Sequence, residues 1–156
     1  MAGKIADDFA TKLEVGIRVE DSVYQLLISR HQYVQDCRYQ RRERNMGPRL
    51  CGLNGRLIMP DFVVYDDDVA MAVDVKFKTS IYPIGGVQCF TVDYSKLLDY
   101  LEAARVMRLD GVWLMFVYNG GTYRYTATQM HGRHSFNNKY GNDAALFAYH
   151  EKYRIQ

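Results

Sequence analysis

Residues 57–65, LIMPDFVVY, and 69–78, VAMAVDVKFK, are two apolar runs joined by Asp66-Asp67-Asp68, a pattern that predicts a β-hairpin with a solvated acidic turn. Alternation in the second run places Ala72, Asp74, Lys76 and Lys78 on one face and Met71, Val73, Val75 and Phe77 on the other. The apolar face is expected to pack on a helix. Pro60 lacks an amide proton and so belongs at an edge or a bulge. Upstream, Ile17, Val23, Tyr24, Leu26, Leu27 and Ile28 recur with the spacing of an amphipathic helix that starts after Gly16 and runs to about His31.

Residues 32–56 are polar, rich in arginine and interrupted by Gly47-Pro48, Gly52 and Asn54-Gly55, which predicts a short strand with loops. Asp93 is the expected N-cap of a helix from Tyr94 to about Leu109, closed by Asp110-Gly111, with Leu97, Leu98, Leu101 and Ala104 on its apolar face. The continuous apolar run VWLMFVY (112–118) suits a strand covered on both sides. Asn119-Gly120-Gly121 then turns into an alternating strand, TYRYTAT (122–128), and a short strand or helix is expected around Ala144–Tyr153. The order of elements defines an α/β fold, a central mixed β-sheet flanked by helices. With no repeat or linker, residues 1–156 read as a single domain.

Composition adds little to this: 48% hydrophobic and 24% charged residues are ordinary for a globular chain. No apolar run reaches the roughly 18–20 residues of a membrane span, and MAGKIADDF lacks the apolar region of a signal peptide. Cys37, Cys51 and Cys89, odd in number and irregular in spacing, fit neither a disulfide framework nor a CxxC zinc site. A reducing cytoplasm is the expected location, the host cell's if the chain is viral. The net charge of +2 hides a local excess: RYQRRERNMGPR (38–49) gathers Arg38, Arg41, Arg42, Arg44 and Arg49 around Glu43. Such a stretch is either a footprint for phosphates or a solvated loop. The 13 tyrosines leave a protein-contact surface open as a different reading.

Candidate chemistry lies in the hairpin. With the turn at 66–68, Asp61 and Asp74 stand on neighbouring strands and can converge. Lys76 projects to the same side about 6–7 Å further along. A hard divalent cation takes a few carboxylate oxygens and keeps water for the rest of its shell. An ammonium at that distance can orient water or stabilise charge developing on phosphorus. The set suits metal-assisted phosphodiester hydrolysis, although a turn-capping Asp61 beside a solvent-facing Asp74–Lys76 pair has the same letters.

Pro60-Asp61 followed after twelve residues by Asp74-Val75-Lys76 resembles the signature of the PD-(D/E)XK nuclease superfamily in its PD…DXK form. Glu20, in GIRVEDSVYQLL, stands where that family commonly places a glutamate on its first core helix, and DYSKLLDYLEAARVMRLDGVWLMFVYN is similar to its helix-then-apolar-strand unit. The resemblance spans roughly residues 16–118 and implies a restriction-endonuclease-like core. It implies that Asp61, Asp74 and Glu20, with the Val75 carbonyl, bind Mg²⁺ or Mn²⁺, and that Lys76 assists catalysis. DNA, branched or duplex, is the implied partner, with Arg41, Arg42, Arg44, Arg49, Lys78 and Lys96 as candidate phosphate contacts. Small members of the superfamily include Holliday-junction resolvases, phage types among them, which act as homodimers. A restriction or homing endonuclease, an exonuclease, or a non-catalytic nucleic-acid-binding module would use the same fold. Tyr94, Lys96 and Gln88 fall where relatives carry polar residues near the site. Asp21, turned about 100° from Glu20, should not share its face. His131 and His134 read as surface or substrate-contacting residues rather than a zinc site.

Overall fold

The computed structural model describes residues 2–38, 48–136 and 143–156. Its centre is a five-stranded sheet built from β1 (Tyr33–Asp36), β4 (Phe62–Tyr65), β5 (Ala70–Lys78), β8 (Gly111–Tyr118) and β9 (Gly121–Thr126), in the order β1-β4-β5-β8-β9. Only the β5–β8 pair of this sheet is parallel, so the sheet is mixed, as expected. A parallel pair needs a long crossover. Here the crossover contains β6 (Tyr82–Ile84), β7 (Val87–Asp93) and a further helix, labelled α2 (Tyr94–Val106).

The first helix, α1, runs from Ala2 to Ile28, starting well before Gly16. The preceding stretch, AGKIADDFATKLEV, contains no proline and is dominated by good helix formers. Gly16 meets nothing within 4 Å and is tolerated at about 1 kcal/mol relative to alanine. Val23 and Leu27 pack on one face of the sheet, against Phe62, Val64, Met71, Val73, Val75 and Met115. Met71, Val73 and Val75 of β5 therefore meet a helix, in agreement with the alternation, whereas Phe77, near the end of the strand, is exposed.

On the opposite face, Ala72, Val112, Leu114, Phe116, Tyr123 and Tyr125 pack against α2 and a second sheet. That sheet has the order β10-β11-β7-β6, with β10 at Gly132–Ser135 and β11 at Asp143–Ala148. Phe90 of β7 stacks on Phe116 at 4.5 Å between ring centroids and locks the layers together. Asp93 caps α2 by accepting from the Ser95 amide at 3.0 Å. The helix is shorter than its sequence suggests: it ends at Val106, and Arg108 takes a left-handed φ of 59°. Its buried face also differs. Leu97, Tyr100, Ala103 and Ala104 are covered, whereas Leu98 and Leu101 are exposed, because the cleft between the two sheets receives the Leu97–Tyr100–Ala104 stripe.

The hairpin strand expected at 57–65 is two strands. A small ribbon of β2 (Arg49–Gly52) and β3 (Gly55–Ile58) ends before Pro60, and β4 begins at Phe62. Pro60 marks the break, in keeping with its missing amide. The acidic turn is tied down as well as solvated: Asp66 accepts from the Gln32 amide at 3.0 Å and sits 2.8 Å from His31 Nδ1.

Candidate active site

The break at Pro60 sets the position of Asp61. The β4–β5 register pairs Phe62 with Val73, so one further step faces Asp61 with Asp74. In place of a backbone ladder bond there, the Val75 amide donates to Asp61 Oδ2 at 2.9 Å. Asp61 is 4% exposed and Asp74 2%, and both lie at the edge of a cleft of about 230 Å³. Lys76 reaches the same point from two residues along β5. Its Nζ is 2.7 Å from Asp74 Oδ2 and donates to the Tyr100 hydroxyl at 3.0 Å. The Lys76–Asp74 contact has ion-pair distance, and beyond it Asp74 Oδ2 has no hydrogen-bond partner among the described residues.

Glu20 enters from α1, buried, and lines the same cleft together with Pro48, Arg49, Ile58, Met59, Lys96 and Tyr100. It is drawn toward Arg38, whose Nη1 is 3.6 Å from Glu20 Oε2. Arg38 forks onto Asp36 through Nε and Nη2, at 3.0 and 2.9 Å, and reaches Asp21 Oδ1 at 2.9 Å. Its guanidinium also lies 4.7 Å from the Phe62 ring centroid. Asp21 thus points elsewhere from Glu20 yet shares its cation. Through Arg38, the glutamate-bearing turn of α1 is fastened to β1 and β4.

The electrostatics follow from this crowding. Burial pushes the Asp61 carboxyl well above its ordinary range, and the charges of Asp74 and Glu20 add to the rise. Lys76 and the Val75 amide oppose it. Burial works against the Lys76 ammonium, but Asp74, Tyr100 and Asp61 outweigh it and raise its pKa. The Tyr100 hydroxyl is raised, chiefly by burial and then by Asp74. Lys78, half-buried on the same face, is pushed down to about 8 by burial first, then by Lys76 and Lys96, with Asp74 opposing.

Glu20, Asp61 and Asp74 bring three carboxyl groups to a cleft whose lining also carries Lys76, Lys96 and Arg49, and Arg38 stands beside Glu20, so the acid excess is confined to the buried Asp61–Asp74 pair beside Lys76. A hard divalent cation fits that excess, the all-oxygen donors and the poorly satisfied Asp74 Oδ2. Among the described residues, no three acidic, imidazole or thiol groups stand close enough to cage a metal as they are. The carboxylates that could hold one are Asp61 and Asp74, with Glu20 at the cleft wall.

Of the remaining candidates, Arg49 lines the cleft, Lys96 is exposed at its rim, and Lys78 shares the Lys76 face. Arg41, Arg42 and Arg44 lie outside the described residues. Tyr94 sits beneath the Arg133 guanidinium, 3.9 Å away, and Gln88 is an exposed β7 residue paired with Pro83. His131 and His134 are exposed, His131 just before β10 and His134 on it. Sequence reasoning missed two residues. Tyr100 carries a usable signal, since it follows Lys96 by four positions and shares its helix face. The Arg38 network had none, because its partners come from α1, β1 and β4.

No family model matches the sequence, and no curated protein matches it. Among solved structures, the architecture does have matches. One structure it is similar to is that of Hjc, a Holliday junction resolvase from the archaeal hyperthermophile Archaeoglobus fulgidus. The TM-score is 0.56 with 10% identity, over 85% of this chain and 83% of that one. At this identity the likeness shows the fold.

Proposed function

We propose that the chain is a metal-dependent DNA endonuclease that hydrolyses phosphodiester bonds, with branched DNA such as a four-way junction as its substrate. The observation that carries this reading is the buried Asp61–Asp74 pair with Lys76 in one cleft, faced by Glu20 from α1. The fold shared with a Holliday junction resolvase supports the choice of substrate class.

Asp61 and Asp74, with Glu20 and the Val75 carbonyl as further oxygen donors, would hold Mg²⁺ or Mn²⁺. When bound, such an ion supplies Lewis acidity and lowers the pKa of its water. The chain's own groups perform the rest. Val75 N–H fixes the Asp61 carboxylate, and Tyr100 and Asp74 hold the Lys76 side chain between them. Held in this way, Lys76 is a donor aimed at a scissile phosphate, where it stabilises charge as water's oxygen bonds to phosphorus. The attacking water gives up a proton to solvent, the P–O bond to the leaving sugar breaks, and the leaving oxygen takes up a proton from solvent. Lys96 and Arg49 on the rim, with Lys78 along β5, would position flanking phosphates. Cutting both strands of a junction calls for two such sites, and a homodimer would provide them.

The test is a panel of linear, flapped and four-way DNA incubated with Mg²⁺, with sedimentation run alongside. Divalent-dependent cleavage that vanishes in Asp74→Ala and Lys76→Ala is expected. Retained DNA binding with no cleavage of any substrate would refute the enzyme reading in favour of a binding module.

A further inference from the structure

The β2–β3 ribbon has a feature that its role as cleft wall does not require. Its base is firmly held: the Ile58 amide donates to Asp99 Oδ2 of α2 at 3.2 Å, the Met59 amide to the Pro48 carbonyl at 2.9 Å, and Leu50 packs with Met59, Val63 and Ala103. Pro48, Arg49, Ile58 and Met59 border the carboxylate cleft. Beyond this base, residues 51–56 are all exposed. The register runs Arg49–Ile58, Leu50–Leu57, Cys51–Arg56 and Gly52–Gly55, which leaves Leu53 and Asn54 as the tip. Gly55, at φ 98°, provides the left-handed corner. Among the described residues no large apolar side chain is more exposed than Leu53, at 108% of its reference area.

A leucine in that position contributes nothing to folding, since it covers no core. The ribbon from residue 48 to residue 60, PRLCGLNGRLIMP, contains two arginines and no acid. It is thus an anchored, acid-free arm reaching about 10 Å from the cleft wall, three strand steps, with an apolar point. Two-stranded ribbons are narrow enough to enter a DNA groove. Leucine is among the side chains that wedge between base steps.

We propose that this ribbon senses DNA structure for the nuclease, with Leu53 wedged against a base step beside the scissile phosphate and Arg56 on the adjoining backbone. The inference rests on the nuclease reading above and adds a source of specificity to it. In continuous duplex, the wedge must pry apart a pair of stacked base pairs. At a branch point the stack is already interrupted, so the leucine gains its apolar contact with little unstacking. The ribbon therefore favours branched over linear DNA without reading sequence.

The experiment compares wild type, Leu53→Ala and Leu53→Phe on junctions and linear duplexes carrying 2-aminopurine at the branch step or mid-duplex. In EDTA, where nothing is cut, wild type and Leu53→Phe should raise the branch-step fluorescence, and Leu53→Ala should lose most of the rise. In Mg²⁺, the branched-to-linear cleavage ratio should fall about tenfold in Leu53→Ala, in keeping with the loss of an inserted wedge. Unchanged fluorescence and ratio in Leu53→Ala would overturn the wedge and leave the nuclease reading intact. A Leu53-dependent signal with no cleavage by wild type would support the wedge and overturn the nuclease. Failure of wild type to bind DNA overturns both. A Leu53→Ala protein that turns from dimer to monomer in sedimentation, with its fluorescence response intact, would assign the leucine to a protein contact and overturn the proposal.

Discussion

Lys76→Met tests whether the lysine is what makes the buried carboxylates tolerable. Lys76 Nζ lies 2.7 Å from Asp74 Oδ2, an oxygen with no other hydrogen-bond partner among the described residues, on a side chain only 3% exposed. Without the ammonium, Asp74 remains buried beside Asp61 with its nearest cation gone, and the Tyr100 hydroxyl loses its donor. Removing one partner of a fully buried ion pair costs about 3–5 kcal/mol. The Lys76 side chain is 25% exposed, so solvent screens some of the interaction and a loss of about 2–3 kcal/mol is expected. At about 2–4 °C per kcal/mol for a chain of this size, Tm should fall by about 4–12 °C in EDTA at pH 7. The raised Lys76 pKa means that its stabilisation is fully present at neutral pH and is lost only on alkaline titration. On acidification Asp61, whose carboxyl pKa burial already raises, takes up a proton, the charge repulsion in the cluster falls, and the gap between variant and wild type should narrow. Adding Asp74→Asn to Lys76→Met should restore most of the lost Tm, because the amide needs no cation. Thermal denaturation from pH 5 to pH 8 reads all three effects. A Lys76→Met protein within about 1 °C of wild type at pH 7, or one that Asp74→Asn makes worse, would refute this account of the cluster.

Magnesium should raise the Tm of wild type, by the equivalent of about 2.7 kcal/mol at a hundredfold excess over Kd, and this rise should vanish in Asp61→Asn and Asp74→Asn and shrink in Glu20→Gln. The same three variants, assayed on cleavable DNA, should lose about a hundredfold or more in turnover, with the smallest loss in Glu20→Gln. Arg38→Ala removes the fork on Asp36, the bond to Asp21 and the stack on Phe62, and should cost about 2–4 kcal/mol by urea denaturation. Lysine there, lacking the planar fork, should rescue little of the loss. Phe90→Ala should cost about 3–5 kcal/mol, since it empties the contact between the two sheets. Lys96→Ala and Lys78→Ala should each reduce the slope of log affinity for DNA against log salt by about 1.

Local interactions and long-range packing left different marks in the sequence. The two-residue alternation of β5 identified which of its side chains meet α1 and which turn toward the cleft. Once the acidic turn was placed, antiparallel pairing brought Asp61 opposite Asp74 within a short loop of chain. The Asp93 cap and the Asn119-Gly120 turn were equally local, each set by the few residues that form it. The buried face of α2 was not legible. Leu98 and Leu101 are as apolar as Leu97, and only the position of the second sheet exposes them and covers Tyr100. That sheet itself went unread, because β6, β7, β10 and β11 come from two separated segments, and β7 pairs with β11 across more than fifty residues.

By itself, then, the sequence determined the hairpin that carries Asp61, Asp74 and Lys76, the α/β class, and the helix that bears Glu20. Strand alternation, turn chemistry and helical periodicity act over a few residues and are written in adjacent letters. Tertiary structure alone decided that Tyr100 would grip Lys76, that Arg38 would gather Asp21, Asp36 and Glu20, and that the β2–β3 ribbon would stand at the cleft with Leu53 in solvent. Those contacts join elements distant in sequence, and their energies depend on burial and charge that exist only once both sheets, α1 and α2 have closed around the site.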